Sequence, residues 1–162
     1  MSVTQSNTSI SALLQSTALK PVGLQIAWLI LRVFTGLLMV HNGFDKLKDV
    51  QGFADNVVAF IGLPYPVFFT YCAAYTEILG SILLVLGLLT RLNAAALLLT
   101  MLVAIFFHLK GDGFKIPPLE TASLYALSYL FFMINGGGAF SVDSLLLKPL
   151  QATLQATQSE QS

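Results

Sequence analysis

Apolar residues along this chain gather into four long runs broken by short polar stretches, and inside each run the small and polar residues recur at intervals of three or four. That interval is the repeat of an α-helix, in which such residues share one face. The runs predict helices over about 22–42, 67–89, 93–109 and 119–136. In the first, about 18 to 20 residues separate the polar ends, which at 1.5 Å of rise per residue crosses a hydrocarbon core. The face of the first helix carries Gln25, Arg32, Gly36, Met39 and Gly43; that of the second carries Thr70, Ala73, Ala74, Glu77, Gly80, Ser81 and Leu84. Asn93, Ala96, Thr100, Ala104 and His108 mark the third, and Thr121, Tyr125, Ser128, Phe132 and Asn135 the fourth. Small residues let helix backbones approach closely, so Gly36, Gly43, Gly80 and Gly87 are read as packing positions.

The breaks have their own chemistry. Between the first two helices, Phe53, Val57, Phe60 and Ile61 fall on one side and Asp55 and Asn56 on the other, a pattern suited to a short helix lying at the membrane surface. Gly62-Leu63-Pro64-Tyr65-Pro66 stops it. Thr90-Arg91-Leu92-Asn93 reads as a tight turn, and 110–118 as a loop. Glu120 is placed in the first turn of the fourth helix, where a carboxylate suits the helix dipole. Gly136-Gly137-Gly138 ends that helix, and Asp143 and Ser144 are read as capping a short surface helix through Leu147. A polar segment, 1–20, precedes the membrane domain of 21–143, with Ile10, Leu13, Leu14 and Leu19 hinting at an amphipathic turn. A Gln/Thr/Ser-rich tail, 144–162, follows it.

Composition turns these helices into membrane spans. Of 162 residues, 56% are hydrophobic and only 10% charged, which is not the make-up of a soluble domain. The fold class expected is all-α: an integral membrane bundle of four transmembrane helices with short interfacial helices. Formal net charge is zero and no basic cluster stands out, so no nucleic-acid partner is expected. Cys72 is the only cysteine, which excludes internal disulfides, Cys-x-x-Cys redox chemistry and thiolate zinc sites. Arg32 within the first apolar run fits a retained span better than a cleaved signal. Counting Lys and Arg beside the spans favours, by one residue, a cytoplasmic position for the two longer loops.

Arg32 and Glu77 are the ionisable groups set deepest in the apolar runs. A lone guanidinium inside a bilayer costs ~3 to ~15 kcal/mol, so it must face protein or water and find a counter-charge. Each lies about ten residues from the start of its helix, and antiparallel neighbours would bring the two together. The expected Arg32–Glu77 pair reads either as a proton relay or anion site, or as a structural lock on helix register, the commoner use. His41 and His108 end helices that run in the same direction; they read as interfacial histidines more readily than as haem or metal ligands, and no metal site is assigned. His108, Asp112 and Glu120 are grouped as a polar mouth, against the plainer reading of a solvated loop. Tyr125, Tyr129, Phe131 and Phe132 could stack a quinone ring, though aromatics in a span are usually packing. No Ser/His/Asp arrangement, phosphate-cradling loop or hydrolase carboxylate pair occurs, so catalysis by this chain alone is not expected.

Arg32 through Lys46 (RVFTGLLMVHNGFDK), Gly62-Leu63-Pro64, Glu77 through Arg91 (EILGSILLVLGLLTR) and Asn135 through Asp143 (NGGGAFSVD) resemble the DoxX family of small bacterial membrane proteins. The resemblance covers about 24–143. It implies a four-helix bundle in the inner (plasma) membrane, often linked to redox systems, with a quinone as the implied cofactor and a redox enzyme as the implied partner. The function expected is that of an accessory or quinone-interacting subunit. A small proton-coupled transporter working as a homo-oligomer, or a scaffold without chemistry, are the alternatives.

Overall fold

The computed structural model describes residues 21–148; the turn expected within 10–19 and the polar tail beyond 148 lie outside them. All regular structure among the described residues is helical. Helix α1 spans Val22–Lys48, α2 Val50–Phe53, a π-helical turn Ala54–Ala59, α3 Pro66–Leu86, α4 Thr90–Asp112 and α5 Ile116–Asn135. Helical backbone resumes over 142–148. Three of these helices, α1, α3 and α4, are long and apolar enough to cross a membrane. Their outward faces expose Ile30, Phe34, Leu37, Leu79 and Leu99, an apolar belt that lipid solvates and water would not.

Three helices are longer than the sequence pattern predicts: α4 takes in Thr90 to Asn93, expected as a turn, and runs on to Asp112, which shortens the loop expected over 110–118. Nothing in His41 to Lys48 breaks a helix, and Lys46 and Lys48 in the last turn suit its negative end, so α1 continues past 42. Helix α5 starts at Ile116 because prolines are tolerated in a first turn, where their missing N–H has no partner to lose. Glu120 therefore lies beyond the first turn, and the dipole role expected of it does not hold. Helix α3 ends where Gly87 takes a left-handed conformation at φ 70°.

Helix α1 packs along α3 and α4 along α5, while the seam between α3 and α4 is looser and α1 barely meets α5. Glycine sets the closeness of the α1–α3 pair. A Cβ on Gly43 would stand 2.9 Å from the Ala74 carbonyl oxygen and 2.6 Å from Ile78 Cγ1, and one on Gly36 would strike Val85. These contacts define an antiparallel register, Gly36 beside Ser81 and Val85, Gly43 beside Ala74 and Ile78. Gly80 differs, since its Cβ would meet Leu97 at an ordinary 3.5 Å.

The expected faces of α1 and α3 are the buried ones. Those of α4 and, Phe132 apart, of α5 are not. Helix α4 buries Thr90, Ala94, Leu97 and Met101, and α5 buries Ala122, Ala126, Tyr129 and Phe132. The polar residues expected there bond to their own helices instead. Thr100 Oγ1 donates to the Leu97 carbonyl at 2.7 Å, Ser128 Oγ to Leu124 at 2.8 Å, and Asn135 Nδ2 to Phe131 at 2.9 Å. A side chain satisfied within its own helix needs no neighbour, which leaves the interface to apolar residues. The core joins Trp28, Met39, Leu84, Leu97, Tyr129 and Phe132.

Candidate functional site

The expected Arg32–Glu77 pair does not form. From the α1–α3 register, Arg32 stands level with the turn after α3, some ten residues and about 15 Å of helix rise from the level of Glu77. Equal distances from two helix starts do not imply equal depth, because α1 and α3 do not begin at opposite ends of one layer. Each charge has found another partner.

Arg32 belongs to a clasp at the end of the bundle. Its Nη1 donates to the Gly137 carbonyl and its Nη2 to the Phe140 carbonyl at 2.7 Å. One turn away on the same stripe, Trp28 Nε1 donates to Gly136 at 3.2 Å, and the Gln25 amide oxygen accepts from the Ala139 N–H at 2.8 Å. The counter-charge is Asp143, within electrostatic reach of the guanidinium. Contrary to expectation, Asp143 does not cap its own short helix; Ser141 Oγ does, accepting from Ser144 N–H at 3.2 Å. The Asp143 carboxylate instead accepts from the Leu89 and Thr90 N–H groups at 2.7 and 2.9 Å, capping α4 across the turn. Gly87 makes room for this, since a Cβ there would lie 2.5 Å from Arg32 Nη1.

Glu77 pairs with Lys46. Lys46 Nζ lies 2.6 Å from Glu77 Oε2, with only 2% of the glutamate side chain and 16% of the lysine side chain exposed. The same ammonium lies 5.2 Å from the centre of the Phe53 ring. Lys46 was not among the expected site residues, although it continues the α1 stripe of Arg32, Gly36, Met39 and Gly43 by one further step of three.

This ion pair sits on the wall of a cavity of about 670 Å³ bounded by the end of α1, the π-helical turn, α3 and α4. Most of its lining is apolar, including Val57, Ile61, Phe69, Leu99, Val103 and Phe107. Its polar groups are few: Lys46, Cys72, Thr76, Glu77, Thr100 and His108. Such a cavity, apolar with a few placed polar groups, is the usual form of a small-molecule site. The α4 stripe expected to pack helices, Ala96, Thr100, Ala104 and His108, lines this cavity instead.

The remaining expected residues are dispersed. His41 is 71% exposed at its side chain and pairs with Asp45 at 3.1 Å, facing away from the cavity, so the two histidines do not share a site. His108 Nδ1 is buried without a hydrogen-bond partner, with an Asp112 oxygen at 3.7 Å. Asp112 and Glu120 are exposed and outside the cavity, so the three-residue mouth is not formed. Tyr129 and Phe132 are fully buried in the core and Tyr125 stacks on Tyr129, so none of them is placed to stack a ligand in this cavity.

The family model described as DoxX matches residues 27–109, from the sixth residue of α1 through α3 to Leu109, three residues short of the end of α4. The chain belongs to the DoxX family. This DoxX protein is 43% identical over 81 residues to an uncharacterized protein of Haemophilus influenzae, covering 47% of this chain and 60% of that one. It is 33% identical over 127 residues to the Bacillus subtilis protein named "Putative oxidoreductase CatD", covering 76% and 90%. An uncharacterized membrane protein of Mycobacterium tuberculosis, Rv3486, is 28% identical over 130 residues, covering 73% and 80%. No solved structure matches this DoxX chain.

Proposed function

We propose that this DoxX protein is an accessory, quinone-binding subunit of a redox system in the bacterial inner membrane, which it crosses four times. The observation that carries the reading is the apolar cavity with the Lys46–Glu77 pair on its wall and His108 among its few polar lining residues. A bound quinone supplies two-electron, two-proton chemistry; electrons would come from a partner enzyme. Lys46 and His108 are the donors available to two ring carbonyl oxygens, and Glu77 holds the ammonium in place and can store a proton beside it. Apolar walls exclude water from the ring. The oxidoreductase in the name of CatD supports the same reading. The fourth crossing is α5, whose 20 residues give about 30 Å of rise and which lies along α4.

Purified full-length protein in mild detergent is expected to carry extractable quinone, or to bind added ubiquinone-2 saturably in nanodiscs. Lys46→Met and His108→Leu are expected to weaken that binding while the protein stays monodisperse. Wild-type protein that neither carries nor binds quinone would overturn the reading.

A further inference from the structure

We infer that the segment 50–61 is a hinged wall of the cavity, seated on α3 and fastened to α4 through Phe60, and that ligand enters when this fastening opens. This rests on the reading of the cavity as a ligand site, whatever the ligand, and adds the way in. The segment lies where α1 ends and α3 begins. It turns Gln51, Asp55 and Asn56 outward and lays Phe53, Val57, Val58 and Ile61 along the cavity, whose other walls include Ala104, Phe107 and His108 of α4.

The two sides of the segment are held differently. Both α2 and the π-helical turn pack chiefly on α3, and Ala54 and Val58 are buried. Toward α4 the contacts converge on Phe60. Its ring meets Phe107 edge-on at 5.7 Å, its carbonyl accepts from Lys110 Nζ at 2.8 Å, and the same ammonium lies 5.2 Å from the ring centre. A Cβ on Gly111 would touch that ring at 3.6 Å. The carbonyl is free to accept because it is among the last of its helix. The Lys110 bond is exposed, so water competes for both of its ends and little is lost when it opens.

Both ends of the segment suit a swing. Asp49 leaves the helical region at φ −140° and ψ 76°, which separates α1 from α2. Gly62 takes φ 91°, and no atom lies within 4 Å of where its Cβ would be, so this glycine serves the turn and not a close contact. Between them is a π-helical turn, a form rarer than the α-helix and frequent at functional sites. Rotation about these ends, with the packing on α3 as pivot, carries Phe60 off Phe107 and parts the segment from α4.

The test uses the full chain in phosphatidylcholine nanodiscs without added quinone. In a Cys72→Ala background, Ala104→Cys puts a thiol on the cavity wall, and its rate of reaction with a water-soluble methanethiosulfonate reads access. Phe60→Ala and Lys110→Met are expected to raise that rate about tenfold and to speed backbone hydrogen exchange over 50–61, with α3 and α4 exchanging as before. Phe106→Ala, at an exposed α4 position outside the cavity lining, is expected to change neither. Labelling and exchange that stay the same in both Phe60→Ala and Lys110→Met would overturn the inference. Faster exchange without faster labelling would remove the entry route, and exchange rising throughout α3 and α4 would show general loosening in place of a hinge. The expected result in a protein that binds no ubiquinone-2 would keep the hinged wall and discard the quinone.

Discussion

The ammonium of Lys46 and the carboxylate of Glu77 meet at 2.6 Å inside a wall that is otherwise apolar. Neither charge could be held there alone, because removing one partner leaves the other buried and uncompensated. Glu77→Ala is therefore expected to cost about 3 kcal/mol of stability, and Lys46→Met with Glu77→Gln together to cost less than the sum of the two. Melting of the four proteins in detergent gives the coupling, expected above about 1 kcal/mol. The same cycle for Arg32→Met and Glu77→Gln is expected to be additive within about 0.5 kcal/mol. Strong coupling there would contradict the register.

Asp143 holds two N–H groups at the start of α4 and answers the charge of Arg32. Asp143→Ala is expected to lower stability by about 3 kcal/mol, since two charge-assisted bonds to a helix terminus are lost and a buried guanidinium loses its counter-charge. Thermal unfolding of the detergent-solubilised protein reads this directly, and an unchanged midpoint would refute it.

Glycines on the α1 and α3 stripes are not equivalent. Gly43→Ala forces a methyl toward the Ala74 carbonyl and is expected to cost about 2 kcal/mol through overpacking. Gly80→Ala meets Leu97 at ordinary contact distance and is expected to be neutral or to gain up to about 1 kcal/mol from helix propensity. Side-by-side melting curves decide the order, and the reverse order would show that the two helices can slide apart.

The proposed fourth crossing is open to a labelling experiment. Phe114 and Phe140 flank α5 and are 86% and 51% exposed. In a Cys72→Ala background, Phe114→Cys and Phe140→Cys are expected to react with a membrane-impermeant maleimide from opposite sides of sealed vesicles. Labelling from one side would remove the crossing.

Much of this architecture was legible in the sequence, and its failures share a cause. On α1 and α3 the polar stripe marks the buried face because Gln25, Arg32 and Glu77 cannot be satisfied within their own helices and must reach across. On α4 and α5 the polar residues are Thr, Ser and Asn, which can bond the carbonyls of the preceding turn, so their periodicity says nothing about the core. The pairing of Arg32 was misread because helix register depends on where Gly36 and Gly43 admit α3, which no count of residues from an apolar run reveals. Lys46 lay on the α1 stripe but beyond the expected end of the helix. The cavity itself had no local signature, since its wall is assembled from four separate elements.

Arg32 and the carbonyl it grips at Gly137 are separated by 105 residues. The arginine thus leaves the ribosome long before its ligands exist, and must wait at the bilayer with water or lipid phosphate around it until the last glycines are translated. A nascent chain cut short ahead of Gly137 carries an unanswered cation in its first span, so the membrane placement of that span is completed only when the far end of the chain arrives.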